Sequence, residues 1–217
     1  MPQIRLKHNR KQNDRSQKDN ENETWPSLFP GFLAIFTNSS AGTRGRAVFE
    51  ITPVESNIKF DVDASVAIEG KFDKWTASLT FTSAEGSTGV LEIKILADSV
   101  DTGSGMKDSK LKGKDFFAVK ENPYIIFKST KVEQTGPDTF TMDGDFTIRG
   151  VTRKEKLLLT VTGKGTGSGT ISGTMAFDRK EYGMNSGIPF IKIANRVEVN
   201  VSLKAKRISG PPVKTRE

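Results

Sequence analysis

The chain has no cysteine, and among its 217 residues there is one histidine, His8. Without cysteine there is no disulfide, no thiolate nucleophile and no Cys-type zinc or iron–sulfur site. A Ser-His-Asp triad, like most zinc or non-haem iron centres, needs a histidine in the folded body, and His8 sits in a polar tail. Carboxylate, lysine or Ser–Lys chemistry is what remains, and no pattern marks any of it. The chain therefore reads as a non-enzyme with no metal site and no cofactor. It also lacks any apolar run near the ~18–20 residues that cross a bilayer as a helix. The missing cysteine sets no compartment, and the length suffices for a core without staples.

The formal net charge of +7 would point to nucleic acid or an anionic membrane if it were gathered on the folded body. It is not. Residues 1–23 hold six Lys/Arg against four Asp/Glu, Arg44 and Arg46 follow, and residues 204–217 hold five Lys/Arg against Glu217 alone. Residues 48–203 carry 20 basic and 21 acidic side chains. The body is nearly neutral, so no nucleic-acid partner is expected.

Residues 1–47 show no sustained period and read as a tail or removable segment. "LFPGFLAIF" (28–36), followed by "TNSSAG", has the length of a secretory signal's apolar core. Against that, the region before it is long and carries "DNENE", and Pro30 interrupts the apolar part. The first reading implies a periplasmic or secreted protein and the second a cytoplasmic one. Residues 208–217 read as a basic C-terminal tail, leaving 48–207 as the folded domain.

From Val48 onward a two-residue period dominates. In "NIKFDVDASVAIEGKF" the even positions Ile58, Phe60, Val62, Ile68 and Phe72 are apolar and their neighbours mostly polar. Such alternation marks strands with one buried face. A three-residue turn at Asp63–Ser65, pairing Val62 with Val66, would keep the parity; a bent continuous strand is the alternative. Further rows hold Leu79 and Phe81, Ile93 and Ile95, Ile125 and Phe127, then Met142, Gly144, Phe146 and Ile148. Met175 and Phe177 follow, and Val197, Val199, Val201 and Leu203 close the series. About eight short strands, each with one wet face, predict an all-β antiparallel barrel or sandwich.

One segment departs from the period. In "GSGMKDSKLKGKDFFAV" (103–119), Met106, Lys110 and Leu111 fall at helical spacing, with Gly113 as an expected left-handed terminator and Phe116 and Phe117 on a second turn. This predicts a short helical flap between strands. "GKGTGSGTISG" (163–173) has alternating glycines but no following helix, so it reads as a hairpin and not a phosphate loop. Asp143 and Asp145 share the outer face of a strand, where a solvated pair fits better than a calcium loop.

The ordered set "ITPVESNIKFDVD", "EGKFDKWTASLTF", "DSVDTGSGMKDSKLKGKDFFAVKENPYIIFKST", "GDFTIRGVTRKEKLLL" and "FDRKEYGM" resembles the YceI-like family of lipid- and polyisoprenoid-binding proteins, over about Val48–Arg207. Phe146 stands where the family's Gly-Asp-Leu-Thr-Ile has Leu, Tyr182 where its closing element has Phe, and Lys110 where many members have His. The region between Val62 and Gly70 is also short. The resemblance implies a lipocalin-like, extended antiparallel barrel enclosing a long isoprenoid chain, and export in many members.

On that reading the ligand-binding wall is Ile58, Phe60, Val62, Phe72, Leu79, Phe81, Ile93, Ile95, Ile125, Phe127, Met142, Phe146, Ile148, Met175 and Phe177, together with Leu111, Phe116 and Phe117 of the flap. Arg179 and Arg196 are the head-group candidates, with strand-end ion pairing as the plainer role of each. The ligand expected is an isoprenoid lipid, either a polyprenyl phosphate or an isoprenoid quinone, carried or sequestered without catalysis. Small inward residues (Ala64, Gly70, Ala77, Gly144, Gly173) favour a hollow bore. The rival reading is a filled barrel that acts through its surface as an interaction or stress-response module. The apolar loop "GIPFIKI" (187–193) suits packing over an opening or transient membrane contact. The oligomeric state stays open, a dimer included.

Overall fold

The computed structural model describes residues 46–216, apart from 66, 188, 189 and 191. The N-terminal segment that resembles a signal lies outside the described residues, as do Ile188 and Ile191 of the apolar loop. The strands are β1 (Val48–Ala64), β2 (Ile68–Phe72), β3 (Trp75–Phe81), β4 (Gly89–Leu96), β5 (Val100–Asp101), β6 (Tyr124–Gln134), β7 (Thr139–Ile148), β8 (Val151–Thr162), β9 (Ser168–Asp178) and β10 (Ile193–Ser209). Among the described residues one α-helix, α1 (Gly105–Lys112), lies between β5 and β6.

Antiparallel neighbours run β10–β9–β8–β7–β6–β4–β3–β1, and β1 pairs back onto β10. This closes an eight-stranded barrel, as the alternation predicts. β2 flanks the second half of β1, and β5 pairs with β2. The two 17-residue strands, β1 and β10, pair with each other along most of their length and form the barrel's spine.

β1 changes face part-way along. Ile51 is buried at an odd position, whereas Ile58, Phe60 and Val62 are buried at even ones. A bulge between Thr52 and Asn57 absorbs the extra residues. Ser56 stitches it, its hydroxyl donating to Thr52 O at 2.6 Å and accepting from Lys204 N at 2.8 Å. Bulges of this kind re-aim a strand without ending its pairing.

Two turns differ from expectation. β1 does not turn at Asp63–Ser65; its pairing with β10 continues to Ala64↔Ile193, and the hairpin pairs Val62 with Ile68. Ser65 is tied instead to Lys192, by a 3.0 Å backbone bond and a 2.9 Å bond to its hydroxyl. The longer loop still preserves the inward parity. Gly113 ends α1 in an extended conformation (φ −67°, ψ 171°), not a left-handed one; the left-handed residue is Ala118 (φ 49°), in the turn that follows.

Outside the barrel, oppositely charged side chains meet across strands: Lys154 with Asp145 at 2.6 Å, Lys156 with Asp143 at 3.7 Å and Lys128 with Glu92 at 3.5 Å. Asp143 and Asp145 are thus outer-face residues with lysine partners. Exposed pairs of this kind add little stability, about 0–1 kcal/mol each. The apolar interior holds the fold.

Residues 210–216 do not trail away as a tail. Lys214 N donates to Ala84 O at 2.7 Å and Lys214 O accepts from Gly86 N at 2.8 Å. Gln134 brackets Arg216 through both of its amide atoms, at 2.7 Å each. This C-terminal strap covers one end of the barrel, with Val213 packed against the core. Gly210 (φ 82°) allows the chain to turn there, since a Cβ would lie 2.0 Å from Arg46 O.

Candidate functional site

Among the described residues, the inward rows border two cavities that share no lining residue. The smaller, about 70 Å³, lies beside α1 and is walled by Ile58, Phe60, Val62, Phe72, Ile95, Leu111, Phe116, Phe117, Ile125, Phe146, Ile148 and Phe177. The larger, about 120 Å³, lies under the C-terminal strap and includes Leu79, Phe81 and Met142 of the expected wall. All of these expected wall residues are buried. Ile93, Phe127 and Met175 are buried as well but line neither cavity.

The small inward glycines do not leave the room their size suggests. A Cβ at Gly70 would lie 2.5 Å from Phe60 Cζ, one at Gly144 2.6 Å from Phe127 Cζ, and one at Gly173 2.6 Å from Leu159 Cδ2. Each glycine is a seat for a large neighbour. The glycines therefore fill the barrel, and the hollow parts lie elsewhere.

The flap is fixed by its own polar residues. Asp108 accepts from Thr102 N at 2.9 Å and from Thr102 Oγ1 at 2.6 Å, which ties α1 to the segment after β5. Leu111, Phe116 and Phe117 then point inward together. Phe117 completes an aromatic triangle with Phe60 and Phe72, at 6.4 and 5.9 Å between ring centroids. Lys110 stands outside with its ammonium 5.9 Å from the Phe116 ring and 2.8 Å from Asp115, whose carboxyl it holds below the usual range. Both phenylalanines face the same cavity.

Arg179 closes the inward row of β9 and is buried at the edge of the smaller cavity. Two of its three nitrogens bind backbone: Nε donates to Ala194 O at 3.0 Å, and Nη1 to Ser186 O at 3.0 Å and to Met184 O. Above it Tyr182 is fully buried, its ring 5.5 Å from Phe146 and 5.2 Å from Phe177. The phenol donates to Glu155 at 2.7 Å, and burial, then that carboxylate, pushes its pKa far above the ordinary value. Arg196 is not brought to the site. It is exposed, pairs with Glu198 at 3.0 Å and lines neither cavity. Phe190 of the apolar loop is exposed, and Ile193 lines the smaller cavity.

Residues 49–205 match the model of the YceI-like domain. The chain belongs to the YceI-like family. It is 33% identical over 96 residues to a UPF0312 protein of Yersinia pestis (strain Pestoides F), covering 44% of this chain and 50% of that protein. It is 31% identical over 98 residues to a UPF0312 protein of Pseudomonas syringae pv. syringae (strain B728a), covering 45% and 51%. The matched region thus spans about half the length of these relatives. Among solved structures, BcnA of Burkholderia cenocepacia superposes with a TM-score of 0.66 at 24% identity, over 72% of this chain and 100% of that one. A polyisoprenoid binding domain from Saccharophagus degradans superposes at 0.59 and 15% identity, over 74% and 99%. At these identities the superpositions carry the fold. The YceI-like motif residues fall in place within it: Asp108 and Leu111 on α1, the Phe116–Phe117 pair beneath it, and Arg179 with Tyr182 after β9.

The expected wall leaves out much of the larger cavity, including Phe49, Leu91, Val132 and Phe140, of which Leu91 and Phe140 share the period of Ile93 and Met142. It also missed Arg207, although Val201, Leu203 and Ala205 are inward at the same parity. That parity was the available signal.

Proposed function

We propose that the barrel binds a long isoprenoid lipid in its interior and carries or sequesters it without catalysis. The supporting observation is a bore with two separate apolar cavities, one under a helical flap and one under a strap. Apolar cavities with a few polar groups at the rim suit hydrophobic ligands. Family membership favours the same reading, as does the similarity to the polyisoprenoid binding domain from Saccharophagus degradans.

Size qualifies how binding works. An engineered apolar cavity of ~150 Å³ holds a molecule of benzene's size. Cavities of about 120 and 70 Å³ therefore each take about one isoprene unit at most as they stand. A long chain has to part the waist at Ile93, Phe127 and Met175, of which Met175 is the most adaptable. The filled glycine seats at 70, 144 and 173 favour a second reading, a filled barrel working through its outer surface. Organic extraction of the purified protein followed by mass spectrometry separates the two. A stoichiometric prenyl lipid supports the first, and a lipid-free extract from folded protein supports the second. With residues 28–36 acting as a signal, such a carrier would work in the periplasm and move lipid between membranes.

A further inference from the structure

Arginines end the inward rows of β9 and β10, at Arg179 and Arg207, and they border different cavities. Their chemistry differs. Arg179 donates from Nε and Nη1 to backbone carbonyls. Arg207 has its backbone N–H bound to Gly167 O at 2.7 Å, but its Nη1 is buried and has no hydrogen-bond partner among the described residues. A buried guanidinium donor left unpaired is costly, and native proteins leave few such groups without a partner of some kind.

The surroundings of Arg207 suit an anion. It lines the larger cavity, whose deep part is apolar: Leu79, Leu91, Met142 and Leu159. Around its outer part stand Lys164 and the hydroxyl residues Thr162, Ser168 and Thr215. Gly163, Gly165 and Gly167, all at positive φ (75°, 81° and 84°), shape the adjoining loop without side chains to crowd it. Lys164 is partly neutralised by Asp138 at 2.7 Å, so the unspent donor is that of Arg207.

We propose that Arg207 receives an anionic, phosphate-type head group of an amphiphile whose apolar chain enters the larger cavity. A guanidinium donates to phosphate oxygens through charge-assisted bonds, strong where water is excluded. This rests on the isoprenoid-binding reading above and adds to it which end takes the head and what charge the head carries.

Isothermal titration calorimetry of the full chain with geranylgeranyl phosphate, geranylgeraniol and inorganic phosphate tests it, using wild type, Arg207→Gln and Arg207→Lys. The wild type should prefer the prenyl phosphate over the alcohol by roughly ten- to a hundredfold. That preference should collapse towards one in Arg207→Gln and survive in part in Arg207→Lys. A wild-type ratio near one, or a ratio unchanged in Arg207→Gln, overturns the Arg207 assignment and leaves lipid binding standing. Inorganic phosphate binding as tightly as the prenyl phosphate, and through Arg207, overturns the head-group role in favour of a free-anion site. Failure of both prenyl compounds to bind folded wild type removes the lipid reading and this proposal together.

Discussion

Phe127 lies over Gly144 so closely that a Cβ on the glycine would meet the ring's Cζ at 2.6 Å and Lys128 O at 2.7 Å. The backbone contact cannot be relieved by a rotamer change, so Gly144→Ala should destabilise by about 1–3 kcal/mol. Adding Phe127→Ala should not recover that loss, because Lys128 O remains. Denaturant melts of the single and double variants measure this, and full recovery in the double variant would show that the ring alone sets the fit.

The inner and outer faces of β1 should respond very differently. Phe60 is buried over Gly70 and against Phe72 and Phe117, so Phe60→Ala should cost about 3–5 kcal/mol. Lys59 is exposed on the other face, and Lys59→Ala should stay within ~0.5 kcal/mol. Equal shifts in urea midpoint would contradict the assigned faces.

Tyr182 gives a pH signature. Its phenol pKa is raised in the folded state, first by burial and then by Glu155. The folded protein thus keeps a proton that the unfolded chain releases near pH 10.0. Stability from this group is full below pH 10 and falls as pH rises above it. Tyr182→Phe removes the bond to Glu155, lowering stability at pH 7 by about 1.5–3 kcal/mol, and should flatten the alkaline fall. Melts at pH 8 to 11 check both parts.

The structured domain begins earlier than its first strand. Ala47 is completely buried, and its carbonyl accepts from Phe81 N at 3.0 Å. A chain starting at Arg46 should retain that bond, whereas one starting at Val48 loses it and the Ala47 packing. We expect the second to melt several degrees below the first. Coincident melts would show that Ala47 is dispensable.

The period of two made the barrel legible, because in a strand each side chain's face follows from position alone. It also placed Phe60, Phe127 and Phe177 inside, and the break in period located α1. What the sequence hides are relations between strands. The bulge at Thr52–Asn57 needs the partner strand to be seen. Gly70 and Gly144 look like empty space in one dimension and are filled in three. The strap at 210–216 is polar and proline-containing, so nothing in its pattern separates it from a tail. Arg196 is a head-group candidate by its place at the start of a strand, yet it lies on the wet face beside Glu198.

The flap phenylalanines join stability to function. Replacing Phe116 and Phe117 together by Ala should lower the lipid-to-protein ratio of the folded fraction, since both wall the cavity under α1. It should also destabilise, because Phe117 belongs to the aromatic triangle. An unchanged ratio on protein shown folded by circular dichroism would make the pair ordinary core.

The central claim is that the two cavities become one lipid site when the waist parts. Native mass spectrometry of the full chain titrated with geranylgeraniol, wild type beside Phe127→Ala, tests this most directly. The account predicts a one-to-one adduct in the wild type and a more abundant one in Phe127→Ala, where the ring dividing the bore is gone. No adduct in either folded protein at saturating lipid would contradict it, and the barrel would then be a filled one.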